Sequence, residues 1–169
     1  VWAWRAKRIP KIAQQLDGLL CLFPFEPELY KGTGLKTKFI GHPLASTIKF
    51  NPDRRYSREI LNLSTSDPIL AILPGSRIFE VRKLLAVFLN ALDLLCKRIP
   101  NLSAVIPVAT DKLMSHIQDF IGSRPVTLVK GQSKEVIAAS DAVLLASGTA
   151  ALEACLTGRP TVAAYRLNS

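Results

Sequence analysis

The chain has 169 residues, 49% hydrophobic and 21% charged, a composition that can bury one full core and part of another and that excludes intrinsic disorder. A net charge of +9 favours an anionic partner, whether a phosphorylated ligand, an acidic membrane surface or nucleic acid, without choosing among them. No apolar run approaches the roughly 18 residues that a bilayer span needs. Cys21, Cys96 and Cys155 lie far apart in apolar runs, which excludes a close-paired zinc or redox motif and predicts reduced core thiols.

The first residues, VWAWRAKR, have neither an initiator Met nor the apolar centre of a signal peptide, so the chain is expected to begin inside a larger protein. From Arg5 to Leu16, Ile9, Ile12, Ala13 and Leu16 recur at helical spacing opposite Lys7, Arg8, Lys11, Gln14 and Gln15, predicting an amphipathic helix with a basic face. GLLCLFPF at 18–25 reads as a strand buried on both faces. EPELYKGTG gives one helical turn and a glycine stop, and KFIGHPL reads as a short strand running into a loop. Residues 43–57 show little periodicity and are expected to link two parts of the chain, with a short helix near 54–63.

Beyond the STSDP turn the chain alternates. Strands are predicted at 69–73, 102–108, 126–130, 142–146 and 161–165, with helices near 77–98, 111–121, 133–140 and 149–157 between them. This pattern predicts an α/β fold, a Rossmann-like doubly wound parallel sheet with right-handed crossovers, preceded by part of a second α/β domain. The expected boundaries are 1–44 for the end of the first domain, 45–66 for the linker and short helix, and 67–169 for an incomplete nucleotide-binding domain. In such sheets ligands sit outside the carboxyl ends of the strands.

Three loops stand at that edge. In LPGSR, Gly75 permits close backbone approach, Ser76 is expected to cap the following helix, and Arg77 can pair with a phosphate. In SGTAALE, Ser147, Gly148 and Thr149 open another helix, and Glu153 lies one turn on, where a carboxylate can accept from both ribose hydroxyls. Between them, Lys130, Gly131, Gln132 and Ser133 suit backbone contacts with a base edge. Each loop alone is more often an ordinary helix cap than a site; the three together point to a nucleotide diphosphate. Neither GxxxxGK[ST] nor GxGxxG is present.

These loops resemble the donor half of GT-B glycosyltransferases. The ordered set VWAWR at 1–5, LFPFEPELY at 22–30, FIGHPL at 39–44, LPGSR with Glu80 three residues on, SDAVLLASGTAALEA at 140–154 and AYR at 164–166 resembles the lipid-A-disaccharide synthase family over essentially the whole chain. The resemblance implies inverting transfer of 2,3-diacylglucosamine from UDP to 2,3-diacylglucosamine 1-phosphate, with no cofactor and no metal. It implies that Arg77 neutralises the leaving diphosphate, that Gly75 and Ser76 approach it through backbone donors, and that Ser147 to Thr149 and Glu153 hold phosphate and ribose. The general base is expected outside this chain, so the chain alone is expected to be inactive. A cytoplasmic protein peripheral on the inner membrane is implied, and a homodimer is among the states the sequence allows.

The alternatives are a UDP-N-acetylglucosamine epimerase, another GT-B transferase, or a basic membrane- or RNA-binding module. No recognised nucleic-acid motif supports nucleic acid as a partner. Trp2, Trp4, Arg5, Lys7, Arg8 and Lys11 read either as an interfacial patch or as core tryptophans beside a solvated helix face. His42, between Gly41 and Pro43, reads as a hinge or a cleft contact, and His116 as solvated; two histidines without supporting spacing make a zinc centre an unexpected feature.

Overall fold

A computed structural model describes residues 5–166. The chain forms two compact units, Val1–Thr47 and Ile48–Ser169. Trp2 and Trp4, the two aromatic residues of the expected interfacial patch, lie outside the described residues.

The first unit runs α1 (Arg8–Gln15), β1 (Gly18–Cys21), α2 (Glu26–Leu29), β2 (Lys36–Phe39) and α3 (Pro43–Thr47). β1 and β2 pair in parallel, from Gly18 with Lys36 to Cys21 with Phe39. The expectation that β1 is buried on both faces is corrected. Only Cys21 is buried, while Leu20 is 64% exposed, because alternate residues face opposite sides and cover falls on one side only. After Gly41 the chain also departs from the expected loop, since Pro43 opens a short helix where its missing N–H costs nothing. Glu26 folds back to accept from the N–H groups of Leu22 and Phe23 at 2.8 and 2.9 Å. This holds the turn that stacks Phe23 on Phe25.

The second unit begins with α4 (Arg54–Ile60), capped by Asp53 accepting from the Tyr56 N–H. It continues through β3 (Ile69–Leu73), α5 (Ile78–Cys96), β4 (Ser103–Val108), α6 (Asp111–Ile121), β5 (Val126–Lys130), α7 (Ser133–Ala139), β6 (Ala142–Ala146), α8 (Thr149–Thr157) and β7 (Thr161–Ala164). The strands form one parallel sheet in the order β5-β4-β3-β6-β7. The chain thus grows outward from β3 on one side, then returns to add β6 and β7 on the other.

Strand alternation divides the core into two layers. Leu70 and Ile72 join Ala104, Ile106 and Val108 under α5 and α6, whose buried residues recur at helical spacing: Val81, Leu84, Leu85, Phe88, Leu89 and Leu92 on α5, Leu113, Ile117 and Ile121 on α6. Ile69, Ala71 and Leu73 face the opposite way, with Val136 and Ile137 of α7 and Ala154 of α8. Two side-chain expectations change here. Cys155 is exposed, because the core-facing position of α8 at that turn is taken by Ala154. His116 is half-buried beside Phe120, its Nε2 shielded from water.

A buried guanidinium fixes the amino edge of this sheet. Arg58, 3% exposed, donates to the carbonyls of Ala139, Thr65 and Asp67 and pairs with Asp141 at 2.7 Å. Asp141 also accepts from the Ile69 N–H at 2.7 Å and pairs with Arg54. One carboxylate therefore joins α4 to the first residues of β3 and the entry to β6. Replacing Arg58 by Ala removes the donor of three carbonyls and leaves Asp141 only the Ile69 N–H and Arg54; because Asp141 is 36% exposed, the loss is expected at about 2–3 kcal/mol in urea unfolding, below that of a fully buried pair.

A second ion pair ties α5 to the α6–β5 turn, with Arg124 donating to both oxygens of Asp93 at 2.8 Å. Those hydrogen bonds hold the Asp93 carboxyl below its ordinary value of 3.8. A depressed carboxyl stabilises the fold above its unfolded pKa and loses that effect as pH falls through the folded value. Asp93→Asn should therefore lower the unfolding midpoint at pH 7, and the gap to the unsubstituted chain should close in unfolding curves measured progressively below pH 4.

Candidate functional site

Ten of the eleven loop residues singled out in the sequence line one cavity of about 470 Å³ at the carboxyl edge of the five-stranded sheet, Lys130 being the exception: Gly75, Ser76, Arg77, Gly131, Gln132, Ser133, Ser147, Gly148, Thr149 and Glu153. The topology brings them together. β3 and β6 are neighbours paired to Leu73 and Leu145, so LPGSR and SGT leave the sheet side by side. β3 pairs with β4 only from Ile69 to Ala71, against Ser103 to Val105, and beyond that the strand pairing stops. There Pro107, Val108 and Ala109 also line the cavity.

Nothing in the sequence motifs singled out these three residues at the end of β4. A signal was present: a proline inside a strand lacks a ladder donor and marks a place where pairing is interrupted on one side. Pro107 keeps its register with Val129 of β5 but falls outside the β3 pairing. The volume lies within the range of small-molecule sites.

The two helices that open on the cavity have different starts. At α5, Ser76 is not the cap, contrary to expectation; the N-cap is Arg77, whose side chain is a donor only and cannot serve a backbone N–H. Glu80 does so instead, its Oε2 accepting from the N–H groups of Ser76 and Arg77 at 3.1 and 3.3 Å. Oε1 lies 3.5 Å from Arg77 Nη1. Gly75, at φ +122°, makes room for this carboxylate: a Cβ there would stand 2.5 Å from Glu80 Oε2 and 2.6 Å from Glu80 Cβ.

At α8, Gly148 is the N-cap with no side chain to offer, and the first turn contains no acidic residue. The first N–H groups of a helix have no acceptor within it, so this end carries both free donors and the positive pole of the helix. Ser147 is anchored by donating its N–H to the Ala164 carbonyl at 3.0 Å. Glu153 is half-buried on the cavity wall, and its carboxylate has no partner among the described residues.

After β5, Gly131 donates its N–H to the Val108 carbonyl at 2.8 Å, which draws this loop against the end of β4. Gly131 and Gln132 both have positive φ, 65° and 54°. Such a conformation is ordinary for glycine and uncommon for glutamine, so the turn holds Gln132 at the cavity at some backbone cost. Lys130 is not on the cavity wall; its ammonium pairs with Asp111 at 2.7 Å. Among the described residues, no group of three or more His, Cys, Asp or Glu is placed to hold a metal ion. In the first unit, His42 accepts the Leu44 N–H at Nδ1 and lies beside Phe23.

Known proteins match both the sequence and the fold. Among solved structures, sucrose-phosphate synthase from Thermosynechococcus elongatus superposes with a TM-score of 0.57 at 20% identity, over 95% of this chain and 44% of its own. The pneumococcal O-GlcNAc transferase GtfA, solved in complex with UDP and GlcNAc, does so with a TM-score of 0.54 at 16% identity, over 93% of this chain and 31% of its own. At these identities the likeness speaks for the fold alone, a GT-B half. Lipid-A-disaccharide synthase of Pseudomonas putida is 47% identical over 169 residues, 99% of this chain and 45% of the relative, so the chain spans less than half of that protein's length. The sequence profile of the lipid-A-disaccharide synthetases matches residues 1–169, and the chain belongs to that family.

Proposed function

We propose that residues 67–169 bind the UDP-sugar of a lipid-A-disaccharide synthase, and that residues 1–44 contribute to its acceptor side. The reaction is transfer of 2,3-diacylglucosamine from UDP to 2,3-diacylglucosamine 1-phosphate, with the general base supplied from outside this chain. The observation that carries this reading is the convergence of the β3, β5 and β6 loops on one cavity in a chain of this family. It is further supported by a GT-B neighbour that was solved with UDP bound.

Each group has a chemical part in this reading. The free N–H groups of α8, behind Ser147, Gly148 and Thr149, receive a phosphate. The unpartnered Glu153 carboxylate accepts from the ribose hydroxyls, and Gly131 to Ser133 meet the base. Arg77 is 72% exposed at its side chain and can follow the diphosphate as its charge grows on leaving. One preorganised donor aimed at such developing charge is worth about 3 kcal/mol of barrier.

The same reading places the protein in the cytoplasm, peripheral to the inner membrane. It is supported by the exposed cations Arg5, Lys7, Arg8 and Lys11, which suit an anionic lipid surface. Among the described residues no helix is long and apolar enough to cross a membrane.

Calorimetry of UDP with this chain tests the site. UDP should bind, and Arg77→Ala and Glu153→Ala should each weaken binding about tenfold or more, as expected for a lost hydrogen bond to a charged group. Absence of UDP binding by a chain folded by circular dichroism, or affinity in both variants unchanged from that of the unsubstituted chain, would overturn the reading.

A further inference from the structure

Resting on the UDP-site reading, we infer that Glu80 is a positioning residue for Arg77, and that at the α5 start the guanidinium, rather than the Ser76 and Arg77 backbone, meets the terminal phosphate. Three observations carry this. The N–H groups of Ser76 and Arg77, which would otherwise be free anion donors, already donate to Glu80 Oε2. The other carboxylate oxygen faces Arg77 Nη1. Gly75 at φ +122° leaves the space that the Glu80 side chain fills, so the loop is built around this carboxylate.

The chemistry follows from donor and acceptor counting. A carboxylate can take two N–H bonds on one oxygen and a guanidinium on the other, whereas arginine has five donors and spends one here. The remaining donors are free to engage a phosphate on the cavity wall that Arg77 lines. A diphosphate seated on the Ser76 and Arg77 amides would have to displace Glu80, placing two anions at one helix start.

UDP and UMP, titrated separately by calorimetry, test the assignment, because only UDP carries the second phosphate. In Glu80→Gln, which keeps an acceptor oxygen but loses the charge that holds Arg77, UDP affinity should fall about tenfold, the scale of one charge-assisted hydrogen bond, with UMP affinity unchanged. In an Arg77→Ala background, the same Glu80→Gln change should leave the UDP-to-UMP affinity ratio unaltered. A purely structural cap would weaken UDP and UMP together with the thermal midpoint. Backbone binding of the diphosphate, with Glu80 as a competitor, would raise UDP affinity in Glu80→Gln. Either result overturns the assignment. If the unsubstituted folded chain binds neither UDP nor UMP, the nucleotide-site reading itself fails, and the assignment with it.

Discussion

The pairing of β3 with β6 is the contact on which the second unit depends. These strands are 69 or more residues apart in the chain, yet they run side by side from Leu70 with Ala142 to Leu73 with Leu145. At their amino ends, Asp141 accepts from the Ile69 N–H and from Arg58, so one carboxylate sets where β6 starts relative to β3. Arg58 makes that setting rigid, since its other donors are spent on the carbonyls of Ala139, Thr65 and Asp67. A parallel register fixed at one end is fixed at the other. At their carboxyl ends the two strands deliver Gly75 to Arg77 and Ser147 to Thr149 to the same cavity.

The same amino edge explains why the segment before β3 belongs with the sheet. Arg159, at the end of α8, donates to the carbonyls of Ala138 and Pro52 and to Asn51 Oδ1. Burial lowers its pKa, with the nearby Arg54 and Arg58 adding to that and Asp141 opposing it. Three guanidinium groups around one carboxylate are tolerated because backbone carbonyls at the C-terminal end of α7, itself the negative pole of a helix, take up much of the positive charge. Phe50 closes this edge over Gly158, where even a methyl group would stand 2.9 Å from its ring.

The alternating strands and helices from Ile69 onward were legible because their residues obey simple periods: ILAIL is wholly buried, and α5 buries Val81, Leu84, Leu85, Phe88, Leu89 and Leu92. The ten cavity residues were legible for a related reason, since carboxyl ends of parallel strands can be located once the strands are. What escaped the sequence depended on contacts between distant residues. The apolar run at 18–25 gives no hint that Leu20 faces outward, because burial depends on what covers the strand rather than on the strand. Likewise Arg58 looks like one more cation on a helix of charged residues until Asp141, 83 positions away, is placed beside it. Cys155 and Ala154 are adjacent and similar in size, and only the rotation of α8 decides which of them enters the core.

The two helix starts on the cavity look equivalent in sequence, each a short run of Gly and Ser or Thr after a buried strand, and they differ physically through one side chain. A helix start carries about half a positive charge on its free N–H groups. At α5, the Glu80 carboxylate more than cancels that half charge, and Arg77 restores the balance, so the positive charge is moved from fixed backbone onto a side chain with 72% of its surface exposed. At α8, nothing in the first turn cancels it, and the charge stays on amides held by the β6–β7 pairing through Ser147. An anion in the cavity is therefore met by a rigid donor set on one side and an adjustable one on the other. In the proposed reaction the rigid side would fix position beforehand and the adjustable side would follow charge as it shifts, a division of labour that two identical helix starts would not provide.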